Sequence, residues 1–247
     1  MRLLGDLQPI VPALGLAIEE VLLDSVRQHG SETIRVWVNQ QGVVLGRSQS
    51  AAAEVDELQV KALDIPVLRR MSGGGTVYHY PGNLNVSTFL LKRPGLSDVS
   101  SVFRFHGGVL ARALSELTPR LYFEDNGLYV DGLKVGGAAQ AHRGNAILYH
   151  TTLLVQPSVV PMDKLLLAMR PGYRSVGVAS RPRPTTSLSE LLDRPIEGDE
   201  VVGPIIDALA SSLGVSPTPC RLTEQEEKRA AVLEREKYGS QMWNRRL

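Results

Sequence analysis

The sequence predicts an α+β fold, and three observations carry that reading. Strand-like and helix-like segments are mixed without strict βαβ alternation, which disfavours a doubly wound sheet. Amphipathic helical patterns recur near both ends and in the middle of the chain. Short β-rich runs pair around turn residues, most clearly Leu128-Tyr129-Val130 and Leu133-Lys134-Val135 about Asp131-Gly132, a two-residue hairpin signal of the strongest kind.

After Pro12, residues Leu14, Leu16, Ala17, Val21, Leu22, Leu23 and Val26 recur at helical spacing with Glu19, Glu20 and Asp24 between them, and Gly30 ends the pattern. Thr33 to Val38 and Val43 to Gly46 read as strands of a hairpin turning through Asn39-Gln40-Gln41-Gly42. Ala51 to Leu63 reads as a helix exposing Glu54, Asp56 and Glu57. A strand from Ile65 to Leu68 leads into three consecutive glycines, and Thr76 to His79 leads out of them. Leu84 to Leu91 is a further β-prone run; Gly95 to Asp98 is a loop, followed by a helix from Val102 to Leu117. Beyond the hairpin come an extended run over Ala146 to Val155, a short helix over Met162 to Met169, and a loop from Arg170 to Pro184. Thr186-Ser187 caps a helix start, Asp199 to Leu213 is a helix stopped by Gly214, and Thr223 to Trp243 is a charged helix with Ala231, Leu233 and Tyr238 on one side. The expected organisation is one domain over 1–247, with 223–247 a helical tail.

At 43% hydrophobic and 21% charged residues, a chain of 247 residues can bury a full core. A formal charge of +1 gives no basic footprint for nucleic acid. Cys220 is the only cysteine, so no internal disulfide forms. No apolar run is long enough to span a bilayer, the first residues lack a signal-peptide pattern, and the expectation is a cytoplasmic protein.

Chemistry concentrates in Arg69-Arg70-Met71-Ser72-Gly73-Gly74-Gly75-Thr76-Val77-Tyr78-His79-Tyr80-Pro81-Gly82-Asn83-Leu84-Asn85. Adjacent glycines sacrifice much backbone entropy, so a folded chain keeps them where side chains would be in the way. Close approach of an anionic ligand to main-chain N–H groups is the usual reason, and Arg70 adds a permanent cation; a ligand-free glycine-rich turn is the alternative. Lys134, between a tight turn and Gly136-Gly137, is the first catalytic candidate. A cation there can stabilise charge moving between a carboxylate and a phosphate, whereas most strand lysines are merely solvated. His79 and His150 are open to either a structural or a chemical role.

The Arg69–Asn85 segment resembles the signature of the lipoate–protein ligase and octanoyltransferase family, which is related in fold to biotin–protein ligases. Asp131-Gly132-Leu133-Lys134-Val135-Gly136-Gly137-Ala138-Ala139-Gln140 resembles its second motif and His150-Thr151-Thr152-Leu153-Leu154 its third. Leu14 to Leu23, Val43 to Gln49 and the tail Lys237-Tyr238-Gly239-Ser240-Gln241-Met242-Trp243-Asn244 add support. The resemblance implies central mixed β-sheets, flanking helices and a bent substrate tunnel. It implies ATP and Mg²⁺ as cofactors, with lipoate or octanoate activated to an acyl-adenylate and passed to a lysine of a lipoyl-domain protein. Lys134 would contact the acyl carbonyl and phosphate. Arg70, Ser72, Gly73, Gly74, Gly75, Thr76, Tyr78, His79, Asn83, Gly137, Ala138 and His150 would bind the acyl-adenylate, and Asp125 would serve the metal.

Three departures accompany the resemblance. Asp125-Asn126-Gly127 stands where ligases carry Asn-Asp, Thr151 replaces a glycine, and the C-terminal accessory domain of many bacterial ligases has no counterpart. A small accessory protein replacing that domain is therefore an expected partner, beside the lipoyl domain; nucleic acid and membrane are not. The alternatives are a cysteine-dependent octanoyl or lipoyl transferase acting without ATP and a non-catalytic lipoate-binding relative. The transferase needs a thiolate close to Lys134, and neither Arg120 to Phe123 nor Ala168 to Gly172 contains one.

Overall fold

The computed structural model describes residues 1–247. Strand β1 (Arg2–Ile10) precedes helix α1 (Pro12–His29), whose first turn uses proline and whose end is closed by Gly30 in the left-handed region. Strands β2 (Thr33–Asn39) and β3 (Gly42–Leu45) follow, then short helices α2 (Ala51–Glu54) and α3 (Glu57–Ala62). Strand β4 (Val67–Arg69) enters the glycine segment and β5 (Val77–His79) leaves it; β6 (Asn83–Leu91) and α4 (Val99–Ala113) come next. Strands β7 (Leu121–Glu124), β8 (Gly127–Val130), β9 (Leu133–Arg143) and β10 (Ala146–Leu154) form a meander. Helices α5 (Met162–Leu165), α6 (Leu188–Leu191) and α7 (Gly198–Leu213), the two-residue strand β11 (Thr218–Pro219), and helices α8 (Glu224–Leu233) and α9 (Gln241–Asn244) complete the chain.

An eight-stranded mixed sheet runs β11-β1-β2-β6-β10-β9-β8-β7, beside a three-stranded sheet β4-β3-β5. The α+β expectation holds. The Asp131-Gly132 hairpin is present with both residues at positive φ, as its turn type requires. On one face of the large sheet, Val36, Val86, Ile147 and Leu153 pack in one cluster with Val102 and Val109 of α4 and Val201 and Ile205 of α7. On the other, Phe89 and Leu148 pack against Leu16, Leu22, Leu23 and Val26 of α1 and Ala230 and Leu233 of α8. The central strands β2, β6 and β10 are therefore covered on both faces, whereas β1 and β11 at one edge are largely exposed.

Several expectations are corrected. β2 and β3 do not form a hairpin: β2 pairs with β1 and β6, whereas β3 pairs with β4 and β5. The chain only bends at Gln41, with the Gln40 N–H donating to the Ile10 carbonyl, and it leaves one sheet there and enters another. The helix expected over Ala51 to Leu63 breaks at Val55, where backbone becomes extended. Glu54 is buried rather than exposed. The middle helix begins at Val99, where Asp98 caps it in a capping box, and ends at Ala113. In the tail, a five-residue π-helical turn, Glu234–Tyr238, separates α8 from α9, and Ala230 rather than Ala231 is buried.

Candidate active site

Between the large sheet's α1 face and the small sheet lies a cavity of about 600 Å³. Its axis follows from register. Trp37 on β2 lies opposite Asn85 on β6, Asn85 opposite Thr152 on β10, and Thr152 opposite Gly137 on β9. All four residues line the cavity. Three inter-strand steps make that row roughly 14 Å long. Lys134 closes one end, since a Cβ on Gly137 would sit 3.3 Å from its Nζ. Leu16, Val44, Val77 and the Trp37 ring supply apolar wall towards the other end.

The glycine segment is shaped by Arg70. Its Nε donates to Ser72 Oγ (2.9 Å), one terminal nitrogen to the Val44 carbonyl (3.1 Å), and the other to the carbonyls of Gly73 (2.6 Å) and Gly75 (2.7 Å). Pulling the Gly73 carbonyl towards the guanidinium turns the N–H of the same peptide, that of Gly74, away from it, and the N–H groups of Gly73, Gly74 and Gly75 make no hydrogen bond within the chain. Such a run of free amides is an anion cradle. Gly74 has φ +86°, and its carbonyl would lie 2.0 Å from a Cβ on Gly46, so Gly46 must remain bare for the loop to sit there. Burial pushes the Arg70 guanidinium down to about 10, against the pull of Glu19.

A second row on the same sheet face carries a hydrogen-bond relay, because Ser87 of β6 lies opposite His150 of β10. The Trp37 Nε1–H donates to Ser87 Oγ (3.0 Å), and Ser87 donates to Glu19 Oε1 (2.7 Å). Glu19 also meets His150 Nδ1 at 2.9 Å, and His150 Nε2 meets Ser72 Oγ at 2.7 Å. Burial pushes the Glu19 carboxyl up, but His150, Ser87 and Arg35 together hold it below its ordinary value. Ser72, His150 and Glu19 thus form a serine–histidine–carboxylate array. It is not a hydrolase triad: Ser72 is 1% exposed, does not line the cavity, and has Arg70 bonded to its oxygen. The array instead ties the Trp37 end of the tunnel to the glycine cradle. His79 stands beside it with Nδ1 2.8 Å from Asn39 Nδ2; burial, then Arg70, lowers it to about 3, so the ring is neutral.

Lys134 reaches the cavity through a β-bulge. Leu128 pairs with Gly136 but Tyr129 pairs with Lys134, leaving Val135 as the extra residue that re-aims the lysine. The Lys134 amide donates to the Pro184 carbonyl and its own carbonyl accepts from Thr186, so the end of the 170–184 loop is pinned alongside. Burial and then the Arg183 charge lower the Lys134 ammonium below its ordinary value. Four residues earlier the same loop is held by Ser180, whose Oγ donates to Glu54 Oε2 (2.6 Å) and accepts from Thr76 N (2.9 Å).

Of the residues predicted from sequence, Arg70, Gly74, Gly75, Thr76, Tyr78, His79, Asp125, Lys134, Gly137, Ala138 and His150 line one cavity. Ser72 and Gly73 are outside its lining, Ser72 buried and Gly73 exposed. Asn83 does not belong: it is fully buried, and its amide, in the better of its two orientations, donates to the Leu84 and Leu153 carbonyls. Tyr78 keeps its hydroxyl outside, on Gln41 Oε1 (2.5 Å). No group of three or more His, Cys, Asp or Glu side chains is placed to hold a metal ion. Sequence reasoning missed Glu19, Trp37, Gly46, Gln49 and Glu54 as parts of the site. Glu19 had left a signal, since it falls three residues after Leu16 and four before Leu23, inside the apolar stripe.

Residues 11–210 match the family model of the lipoyl protein ligase A/B catalytic domain. Lipoate-protein ligase LplJ of Bacillus subtilis is 29% identical over 238 residues, covering 94% of this chain and 70% of that protein. Octanoyltransferase LipM of Symbiobacterium thermophilum is 30% identical over 232 residues, 84% of each. The chain spans 58% of the length of a further relative from Aeropyrum pernix, at 35% identity. Among solved structures, a bi-partite lipoate protein ligase studied with its E2 lipoyl domain from Thermoplasma acidophilum superposes with TM-score 0.84 at 25% identity, covering 99% of this chain and 95% of that one. A lipoate-protein ligase A bound with ATP gives TM-score 0.83 at 25% identity over 99% and 98%. No helix is long and apolar enough to cross a membrane.

Proposed function

The chain belongs to the lipoyl protein ligase A/B catalytic-domain family, and on that premise we propose that it is a lipoate–protein ligase. The observation that carries the reading is the aligned row Gly137–Thr152–Asn85–Trp37, with Lys134 at one end and a free-amide cradle beside it. A slot of roughly 14 Å accepts a medium-chain acid lying across four strands. Burying that chain supplies about 0.8 kcal/mol per methylene, which leaves the head-group residues free to act on charge. The acid's carboxylate oxygen attacks the α-phosphorus of ATP and diphosphate leaves. The lysine amine of a lipoyl domain then attacks the acyl carbonyl, AMP leaves, and the amine gives up its proton. Lys134 and the amides of Gly74 and Gly75, which line the cavity, hold the oxygens on which charge builds in both steps. Neutral His79 donates or accepts without adding charge.

Mg²⁺ fits as an ion carried by the nucleotide. Asp125 and Glu19 are the only carboxylates lining the cavity, and Glu19 is committed to His150 and Ser87. Asp125 is thus the one carboxylate left for such an ion, as suits a cation that takes most ligands from phosphate and water. The likeness to a bi-partite ligase supports a second, small protein as partner in adenylation.

Incubation with ATP, Mg²⁺ and an apo-lipoyl domain, with and without cell extract to supply the second protein, against extract alone, and with lipoate and octanoate in separate reactions, tests the reading by intact mass. One acyl group per domain, dependent on ATP, is the expected result; acylation from an acyl thioester alone would favour the transferase. Cys220 lies outside the cavity lining. Its replacement by serine is expected to leave the ATP-dependent rate within about twofold of wild type, the range of a surface change. Abolished transfer in Cys220→Ser would assign the reaction to a thioester route.

A further inference from the structure

The tail Lys237-Tyr238-Gly239-Ser240-Gln241-Met242-Trp243-Asn244 has no place in the site just described, and none of its residues lines the cavity. Its contacts converge instead on Arg69. Strand β4 is an edge strand, bonded only to β3, so the Arg69 N–H and C=O face outwards. Both are met by tail side chains: Arg69 N donates to Asn244 Oδ1 (2.9 Å) and Trp243 Nε1 donates to the Arg69 carbonyl (2.7 Å). Two side chains thereby take the place of a neighbouring strand. The Asn244 amide is itself oriented by donation to the Tyr238 carbonyl (2.7 Å), at the end of the π-helical turn.

From Arg69 the contacts run inwards. Its guanidinium donates to the carbonyls of Asn244 (3.0 Å), Gly46 (2.9 Å) and Gln49 (2.6 Å). That holds the turn at 46–49, whose Gly46 is the residue against which the Gly74 carbonyl packs. Gln49 Oε1 accepts from Thr76 Oγ1 (2.9 Å), and Gln49 Nε2 donates to Ser180 Oγ (3.0 Å). Each link is buried or part-buried, so water does not compete for it.

We propose that Trp243 and Asn244 are positioning residues: they lock Arg69, and through it the 46–49 turn, so that the amides of Gly74 and Gly75 keep the geometry the reaction needs. The rate consequences rest on the ligase reading; the mechanical claim does not. The test compares full-length Trp243→Phe and Asn244→Ala with Glu226→Gln. Glu226 anchors α8 through Arg2 and Ser25 without touching Arg69, so its variant controls for a loosened tail. Acyl-adenylate formation is measured for kcat and for KM of the acid, and amide hydrogen exchange is followed over residues 69–77.

Trp243→Phe and Asn244→Ala are expected to lower kcat by about tenfold to a hundredfold, the scale of a small misplacement of reacting groups. KM for the acid should hold, because Leu16, Trp37 and Val77 are untouched. Exchange should quicken at 69–77 in both variants and not in Glu226→Gln. Asn244→Asp keeps the acceptor for the Arg69 N–H and should recover part of the loss. Unchanged exchange at 69–77, or losses that merely follow the folded fraction as in the control, would overturn the proposal. A wild-type chain that forms no acyl-adenylate even with a lipoyl domain and cell extract added would refute the ligase reading, leaving the exchange data to judge the latch.

Discussion

Replacing Lys134 by methionine is expected to cut acyl-adenylate formation by about a hundredfold to a thousandfold, the range for losing one preorganised charge-stabilising group. The variant should be no less stable than wild type, and the pairing of those two results is the discriminating feature. Lys134 is a desolvated cation, and the charge that acts on it, Arg183, is also positive. An ammonium held this way costs folding free energy and becomes favourable when an anion arrives. Methionine fills similar volume without the charge. The pH dependence follows from the same burial. Burial and Arg183 set the folded-state pKa below the ordinary 10.5, so between the two values the unfolded chain binds more protons and wild-type stability rises with pH. The rate runs the other way, falling as the ammonium deprotonates through the lowered value. Lys134→Met should lack that stability gain. Thermal melts and initial rates over an alkaline series measure both, and a methionine variant that melts well below wild type would show that Lys134 is structural.

Much of this was legible in the sequence, and what was not has a common cause. Helix α1, helix α7 and the Asp131-Gly132 hairpin declare themselves through local signals: periodicity, a closing glycine, a turn dipeptide. The glycine cradle followed from glycine's backbone cost, and Thr76, Tyr78 and His79 from the family resemblance. The β2–β3 misreading arose because two strands joined by residues of turn-forming type need not pair when each finds better partners far along the chain. Strands β1 and β7 escaped notice for a related reason. β1 is mostly exposed and β7 is four residues long, so neither shows a buried apolar run. Arg70 was expected to face a ligand; it bonds three carbonyls of its own surroundings instead, and acts on a ligand through the amides it exposes. The bulge at Val135, which aims Lys134, depends on register and has no local signature.

Glu19→Gln is expected to produce the larger loss of stability. The substitution keeps shape and removes one buried negative charge, so its effect separates charge from packing. Burial lowers Arg35 to about 10 against the pull of Glu19 and Asp6, and lowers Arg70 to about 10 against Glu19. Glu19 is therefore the carboxylate whose field acts on both buried guanidiniums without touching either. Arg35 has few other supports: it donates to the Gly15 carbonyl (2.8 Å) and lies 4.1 Å over the Trp37 ring. Neither guanidinium pairs directly with Glu19, whose close charged contact is His150 Nδ1 (2.9 Å); leaving buried charge uncompensated still costs up to about 3–5 kcal/mol, whereas losing a single neutral hydrogen bond costs about 1 kcal/mol. Ser72→Ala, which cuts the relay but keeps the charge, should accordingly be the milder variant. For a chain of this size the Glu19→Gln cost corresponds to a fall of roughly 10 °C in melting temperature. Its sign with pH is fixed by linkage. A carboxyl held below its ordinary 4.5 contributes stability that is complete above 4.5 and lost as pH falls through the folded value. The difference between wild type and Glu19→Gln should therefore be greatest near neutrality and close on acidification. Denaturant melts from neutral to acid pH measure it, and a constant difference would mean that the carboxylate's charge is not what the two arginines require.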